Sequence, residues 1–236
     1  MVDLIPLRKK YRYQKLVRND GPEGRTYGDE KLPSVTRILD ATRDRAKIDE
    51  WVQRIGKEEA ERIKTTAATT GTHMHNVIER MVAGKSLPRP TNWLMVKGYE
   101  MGYRLVMEQF SSVDEIWGSE ITLYFPQRYA GTTDMVGIYK GKSAIIDFKQ
   151  SNKPKRHEWI TDYFHQLSAY ALAHDALFGT NIEMGVIMVA LQTGGTQVFT
   201  TTGHEFNTFK TGWLERVEKY HRGIKLMLPG DSGNNC

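Results

Sequence analysis

Near the middle of the chain, Gly131-Thr132-Thr133-Asp134 is followed, thirteen positions after Asp134, by an Asp-x-Lys that ends an apolar run, Ile145-Ile146-Asp147-Phe148-Lys149. On a strand, side chains alternate between faces, so Asp147 and Lys149 point one way while Phe148 enters the core. Asp134 lies on the preceding candidate strand, and the turn Tyr139-Lys140-Gly141-Lys142 sets the two strands side by side. Two carboxylates and an ammonium then converge at one sheet edge.

The flanking segments predict what surrounds that edge. Residues 11–18 alternate like a strand, Asn19-Asp20-Gly21-Pro22-Glu23-Gly24 is a dense turn signal, and 25–27 return, which predicts an N-terminal hairpin. Ser34 caps a helix that begins after Pro33, and the chain is then mostly helical to about residue 110, with Gly71 as an interruption and an amphipathic helix over 92–110. Strands are expected over 115–125, 129–139 and 143–148, a helix over 158–178, strands over 182–190 and 196–201, and a closing helix over 205–226 before a frayed tail at 229–236. Helices, a strand meander, a helix, two strands and a helix imply an α/β or α+β core with a helical N-terminal lobe.

With 236 residues, 39% apolar and 10% aromatic, the chain is long enough for one large domain or a compact domain with an added lobe. A net charge of +5 suits an anionic partner without requiring nucleic acid. Cys236 is the only cysteine, which excludes an intrachain disulfide, a cysteine zinc site and an iron–sulfur cluster. No apolar run approaches the roughly 20 residues that span a bilayer, and the N-terminus lacks a signal-peptide core, so no membrane contact and an intracellular, cytoplasmic setting are expected. The basic opening stretch (Arg8, Lys9, Lys10, Arg12, Lys15, Arg18) is not Ser-rich and holds β-prone Tyr11, Tyr13 and Val17, so it reads as a strand rather than a transit peptide.

Hydrolysis of a phosphodiester needs charge neutralised on the phosphate, a nucleophile made from water and a stabilised leaving oxygen, all of which a hard divalent cation supplies. Asp134, Asp147 and the Phe148 carbonyl form an oxygen ligand set suited to Mg²⁺, and Lys149 would activate the attacking water and stabilise the anionic transition state. An Asp-x-Lys alone is equally well a strand-edge ion pair. Two further features, the His75–Glu79 and Gln166–Tyr170 pairs, weigh against that bland reading. His75 and Glu79 stand at i and i+4 on one helix face, where His75 adds a nitrogen ligand that also suits Mn²⁺; the bland alternative is that the two simply pair. Gln166 and Tyr170 have the same spacing on the later helix, where the amide would orient water or phosphate and the phenol would hold a phosphate or stack on a base, unless the segment is an ordinary half-buried helix. Glu120, on the strand before Asp134, is either a supporting residue or a surface one. The loop Ser151-Asn152-Lys153-Pro154-Lys155-Arg156-His157 offers Ser151, Lys153, Lys155 and Arg156 for phosphate steering, against the alternative of a solvated loop.

His75, Asp134, Asp147-Phe148-Lys149 and Gln166-x-x-x-Tyr170 resemble, in order and spacing, the RecB-like exonuclease branch of the PD-(D/E)xK nuclease superfamily. Leu32-Pro33-Ser34-Val35-Thr36-Arg37-Ile38-Leu39 and Asp147-Phe148-Lys149-Gln150-Ser151-Asn152-Lys153-Pro154-Lys155 look like the mitochondrial genome maintenance exonuclease family and its phage and bacterial relatives, over roughly residues 25–225. The absence of cluster cysteines sets the chain apart from the Cas4 proteins of that branch. The resemblance implies a restriction-endonuclease-like fold, a central mixed sheet flanked by helices, with residues 1–110 as hairpin and helical arch contributing His75 and 111–236 as the nuclease core of one integrated domain. It implies His75, Asp134, Asp147 and the Phe148 carbonyl as ligands of Mg²⁺ or Mn²⁺, Lys149 as the catalytic lysine, and Gln166 and Tyr170 as its support; Glu79 and Glu120, from the residue pattern alone, are the candidates to stand behind them. The implied activity is exonucleolytic cleavage of single-stranded DNA threaded under the arch, with duplex ends or RNA left open as substrates and a helicase or recombinase as a recruiting partner. An endonuclease on the same fold and a non-catalytic nucleic-acid-binding module are the rival readings, and the intact Asp134, Asp147 and Lys149 argue against the second.

Overall fold

The computed structural model describes residues 7–22 and 24–227. The elements run β1 (Arg18–Gly21), β2 (Gly24–Tyr27), β3 (Leu32–Pro33), α1 (Val35–Thr42), α2 (Ala46–Ile55), α3 (Lys57–Val82), α4 (Trp93–Gln109), β4 (Val113–Phe125), β5 (Tyr129–Tyr139), β6 (Lys142–Ser151), α5 (Thr161–Phe178), β7 (Met184–Leu191), β8 (Thr196–Thr202) and α6 (Gly203–Met227). A five-stranded sheet in the order β4-β5-β6-β7-β8 forms the centre, and β1-β2-β3 make a small second sheet. Pairing is antiparallel except between β6 and β7, which run parallel because α5 crosses over between them. The expected α+β architecture with a central mixed sheet is therefore the one the chain adopts.

Two apolar layers hold helices to both faces of the sheet. On one face Val136, Ile145, Ile187 and Val189 meet Leu167 and Phe164 of α5, Trp213 of α6 and Ile38 of α1. Met135, Ile146, Phe148, Val186 and Met188 meet Met74 and Ile78 of α3 and Leu105 of α4 on the other. Phe148, 2% exposed, stacks on Phe110 with ring centroids 5.9 Å apart. Its burial contributes about 2 kcal/mol and fixes the rotation of β6, since a one-residue slip would drive Asp147 and Lys149 into the apolar layer. α4 lies close against α3 at two glycines: a Cβ on Gly98 would come within 2.8 Å of the Thr70 carbonyl oxygen, and one on Gly102 within 2.7 Å of that of Met74. From α6, Arg216 binds Thr42 and Leu39 of α1 and Asp162 of α5, tying three helices together.

Two local expectations give way. Gly71 does not interrupt its helix: α3 continues through it, because the roughly 1 kcal/mol that a glycine costs against alanine is small beside the packing of a 26-residue helix on the sheet. At the N-terminus, Asn19, Asp20 and Gly21 belong to strand β1 and the turn contracts around Pro22, while residues 12–17 join no ladder. Tyr11 and Tyr13 instead pack their rings against Phe178 and His174, so aromatic contacts hold this segment in place of a ladder. Ser34 caps α1 as expected, its hydroxyl accepting the Arg37 N–H at 3.0 Å. The tail at 229–236 lies outside the described residues.

Candidate active site

The β5–β6 ladder runs from Tyr139↔Lys142 to Met135↔Ile146 and then stops. At the next step, where Asp134 and Asp147 come abreast, a side chain replaces the backbone: Asp134 Oδ2 accepts the Phe148 N–H at 2.7 Å. On the other flank, the pairs Ser119↔Met135 and Ile121↔Thr133 set Glu120 opposite Asp134. Glu120 has φ 51°, a left-handed conformation that costs a non-glycine residue on the order of 1 kcal/mol and is kept here by the ladder on either side. From α3, His75 presents Nδ1 at 3.4 Å from Asp134 Oδ1 and 3.8 Å from Glu120 Oε1. One ligand atom from each of His75, Glu120 and Asp134 lies within 4.8 Å of the others.

Beside this trio stands the Asp-x-Lys. Alternation with Ile145 turns Asp147 and Lys149 toward α5, as the sequence pattern requires, with Asp147 only 2% exposed. Its Oδ2 lies 2.5 Å from Lys149 Nζ but accepts no well-directed hydrogen bond, and its Oδ1 accepts from the Gln166 amide at 3.3 Å. Tyr163, Gln166 and Tyr170 share one face of α5 at i, i+3 and i+7, and the Lys149 ammonium sits 5.1 Å over the Tyr163 ring. Tyr170 is 2% exposed and bonds Gln166. Gly131 makes room for it: a Cβ there would fall 2.9 Å from the ring. The Gln166 amide thus bonds Asp147, and Tyr170 stands behind Gln166 in the cleft lining.

The charges are strongly coupled. Burial, the largest influence on His75, favours its neutral form, but Asp134 and Glu120 outweigh it and hold the imidazole protonated up to about pH 10. Burial lifts the Asp147 carboxyl to about 6 against the pull of Lys149, and it also raises Glu120. Asp134 goes the other way: burial would raise it, yet His75, Lys149 and the Phe148 N–H bring it below the usual carboxylate range. Lys149 is pushed up, because Asp147 and Asp134 outweigh its burial. Three carboxylates thus face two cations. Two carboxylates and one imidazole within reach of a common point, with the Lys149-paired Asp147 carboxylate alongside, make a hard oxygen–nitrogen donor set suited to Mg²⁺ or Mn²⁺. A divalent ligand sphere needs the imidazole neutral, so binding would release the His75 proton.

A cleft of about 550 Å³ opens above the trio. His75, Glu79, Glu120, Asp134, Gln166 and Tyr170 line it, so six of the residues singled out from sequence reach one space. The cleft is also lined by residues to which the motifs gave no site role: Arg18 and Arg25 of the hairpin, Ser34 and Thr36 at the start of α1, and Thr72 and Asn76 beside His75. Only the i, i+3, i+7 spacing from Tyr163 to Gln166 and Tyr170 carried a signal for Tyr163.

The loop residues proposed for phosphate steering are not among the residues of that cleft. Ser151 is buried, and its hydroxyl donates to the Lys153 carbonyl at 2.6 Å, closing the loop on itself. The Lys155 N–H bonds Gln197 of β8, and the Arg156 guanidinium lies 5.2 Å over the Trp159 ring. The Ser151 hydroxyl and the Lys155 main chain are spent on holding the loop's shape.

Comparison with known proteins agrees with the motifs. Mitochondrial genome maintenance exonuclease 1 of Homo sapiens is 27% identical over 201 residues, 80% of this chain and 58% of its own length. The Xenopus tropicalis protein of the same name is 28% identical over 209 residues, 81% of this chain and 58% of its own. The chain thus spans under two thirds of the length of the curated relatives it matches. Among solved structures, a candidate exonuclease from Eubacterium rectale aligns with a TM-score of 0.49 and 13% identity over 67% of this chain and 66% of that one. No family model matches the chain. By its ordered motifs and these sequence similarities, the chain is similar to exonucleases of the RecB-like PD-(D/E)xK type, mitochondrial genome maintenance exonuclease 1 among them.

Proposed function

We propose that the chain is a divalent-metal-dependent exonuclease that hydrolyses phosphodiester bonds from the ends of single-stranded DNA. The observation that carries this reading is the meeting of His75, Glu120 and Asp134 within 4.8 Å of one another beside the pair of buried Asp147 and half-buried Lys149. His75, Asp134, Asp147 and the Phe148 carbonyl would hold Mg²⁺ or Mn²⁺, and Glu120 belongs with them by position. When bound, the cation supplies charge neutralisation at the phosphate and acidifies water. The remaining work falls to side chains. Lys149, held between Asp147 and the Tyr163 ring, places a fixed positive charge where negative charge develops on the phosphate. Gln166, backed by Tyr170, keeps Asp147 turned toward the centre. Glu79, on the same helix face as His75, lies on the cleft wall as an outer acidic group.

In this reading residues 1–110 form the hairpin and arch, 111–236 form the core, and α3 roofs the cleft so that a strand end enters more readily than an uninterrupted strand. Replication, recombination or DNA turnover inside the cell is the setting that fits; the matched relatives are mitochondrial by name. No described helix is long and apolar enough to cross a membrane. The deciding experiment incubates the protein with Mg²⁺ or Mn²⁺ on end-labelled linear and closed circular single strands, with Lys149→Ala as control. Loss of linear strands from their ends, with the circles intact, is the expected result. Cutting of circles would replace the exonuclease reading with an endonuclease one, and DNA binding without cleavage in either metal would leave only a binding module.

A further inference from the structure

Two arginines of the hairpin, Arg18 and Arg25, line the same cleft as the carboxylates, and they are built into one unit. Arg18 and Asp20 alternate on β1, while Arg18↔Tyr27 and Asp20↔Arg25 face each other across the ladder, so Arg18, Asp20, Arg25 and Tyr27 share one face of the hairpin. Tyr27 fixes which way that face turns: it is 3% exposed, and its hydroxyl meets Thr132 Oγ1 on β5 at 3.3 Å. The arginines are thereby held in the lining of the cleft, beside the point where Tyr27 meets Thr132, two residues along β5 from Asp134. Arg18 Nε donates to Asp20 Oδ2 at 2.8 Å, and Arg25 Nε donates to Asp20 Oδ1 at 2.9 Å. Hydrogen bonds from Arg25 and Arg18 hold the Asp20 carboxyl below its usual range.

We propose that this hairpin is a phosphate clamp: Arg18 and Arg25, aligned by Asp20, together grip one backbone phosphodiester of the strand lying in the cleft. The inference rests on the nuclease reading for the identity of the anion. Two guanidiniums that bond the two oxygens of one carboxylate stand close enough to reach the two non-bridging oxygens of one phosphodiester. Each spends its Nε on Asp20, and the terminal Nη groups, the prongs of the guanidinium fork, are unpaired among the described residues. Asp20 is thus a positioning residue, although its charge repels phosphate. The scissile phosphate belongs to the carboxylate floor, so the clamp serves a neighbouring phosphate and sets how far a strand advances.

Binding is read by fluorescence anisotropy of a short labelled oligothymidylate across a salt series, with Lys149→Ala as the parent so that no cleavage intervenes. Arg18→Ala, Arg25→Ala and the double variant are each expected to weaken binding roughly tenfold and to flatten the slope of log affinity against log salt by about 0.7, the value for one single-strand phosphate. A slope loss of about 1.4 in the double variant would mean two separate phosphates and overturn the shared grip, and an unchanged slope would remove the clamp altogether. Arg18→Lys with Arg25→Lys keeps the charge and loses the fork, and is expected to weaken binding severalfold with little change of fold in circular dichroism. Asp20→Asn gives the sharpest sign: removing a negative charge should tighten anion binding if Asp20 merely repels, whereas the clamp requires it to loosen. In the cleaving protein the arginine variants raise KM and leave kcat within a few-fold. Tight, salt-sensitive binding by a protein that never cleaves would remove the nuclease reading while leaving the clamp intact.

Discussion

His75 and His174 are the same side chain in opposite surroundings. His75 lies at the sheet edge between Asp134 and Glu120, which hold it protonated to about pH 10 despite its burial. His174 sits on the same side of the molecule as Trp117, Tyr11, Tyr13 and Phe178, fully buried, and that burial, reinforced by Lys10, brings it down to about 4. Its hydrogen bonds even fix the tautomer. Thr180 Oγ1 gives its proton to Asp175 and so accepts from His174 Nδ1, which leaves Nε2 to accept from the Tyr13 hydroxyl. One histidine is charged among carboxylates that could share a metal; the other is neutral within a clasp that pins the N-terminal segment to α5. A buried histidine therefore indicates chemistry only when its partners are carboxylates that a metal could share.

The comparison breaks most visibly in activity. Asp134→Asn, Asp147→Asn and Lys149→Ala are each expected to lower turnover by at least about 10²-fold in a single-turnover cleavage assay while DNA binding largely persists, because each removes charge stabilisation at the reacting phosphate. Near-normal rates in any of them would show the centre to lie elsewhere. The corresponding changes around His174 should leave turnover intact.

Metal linkage sharpens the contrast. Mn²⁺ or Mg²⁺ should raise the melting temperature of the wild-type chain, and His75→Ala should weaken that metal affinity by roughly 10- to 100-fold in thermal-shift titrations. His174→Ala should melt lower by about 2–4 kcal/mol of lost packing and hydrogen bonding, yet respond to metal as the wild type does. Equal metal responses in the two variants would dissolve the distinction.

How much of this could be read from the chain differs between the two regions. Asp134, Asp147 and Lys149 were legible because strand alternation and a two-residue turn at Lys140-Gly141 are local rules, and the apolar runs on both sides leave one register. The strand and helix boundaries from 113 onward followed for the same reason. What local rules do not carry is closure between distant segments. Glu120 joins His75 only because β4 bends into a left-handed backbone conformation beside Asp134, and Arg18 and Arg25 reach the cleft only because Tyr27 docks the hairpin on β5. The basic loop at 151–157 follows Lys149 directly in the chain, but its course is set by the Ser151 hydroxyl and by Gln197 on β8, which no local pattern announces. Tyr11 and Tyr13 gave a strand pattern, but their rings find Phe178, more than 160 residues away, before their backbone finds a ladder.

The pH dependence of stability tests the neutral histidine directly. His174 has a folded value of about 4 against an unfolded value near 6.5, so between those limits the unfolded chain binds a proton that the folded chain refuses. Its contribution to stability is complete above pH 6.5 and is lost as pH falls toward 4, with a slope of at most about 1.4 kcal/mol per pH unit for one proton. The groups facing it set that sign: Lys10 repels a charged ring, the Tyr13 hydroxyl already donates to Nε2, and Asp175, which would favour the charged form, reaches it only through Thr180. Asp147, whose folded value is raised to about 6, acts oppositely in part of this window, so total stability against pH does not isolate His174. The difference between wild type and His174→Gln does, because Asp147 is common to both. Urea midpoints measured from pH 7 to 4 should converge as the wild type loses stability that the glutamine variant never had; parallel curves would mean that His174 takes up its proton in the folded state.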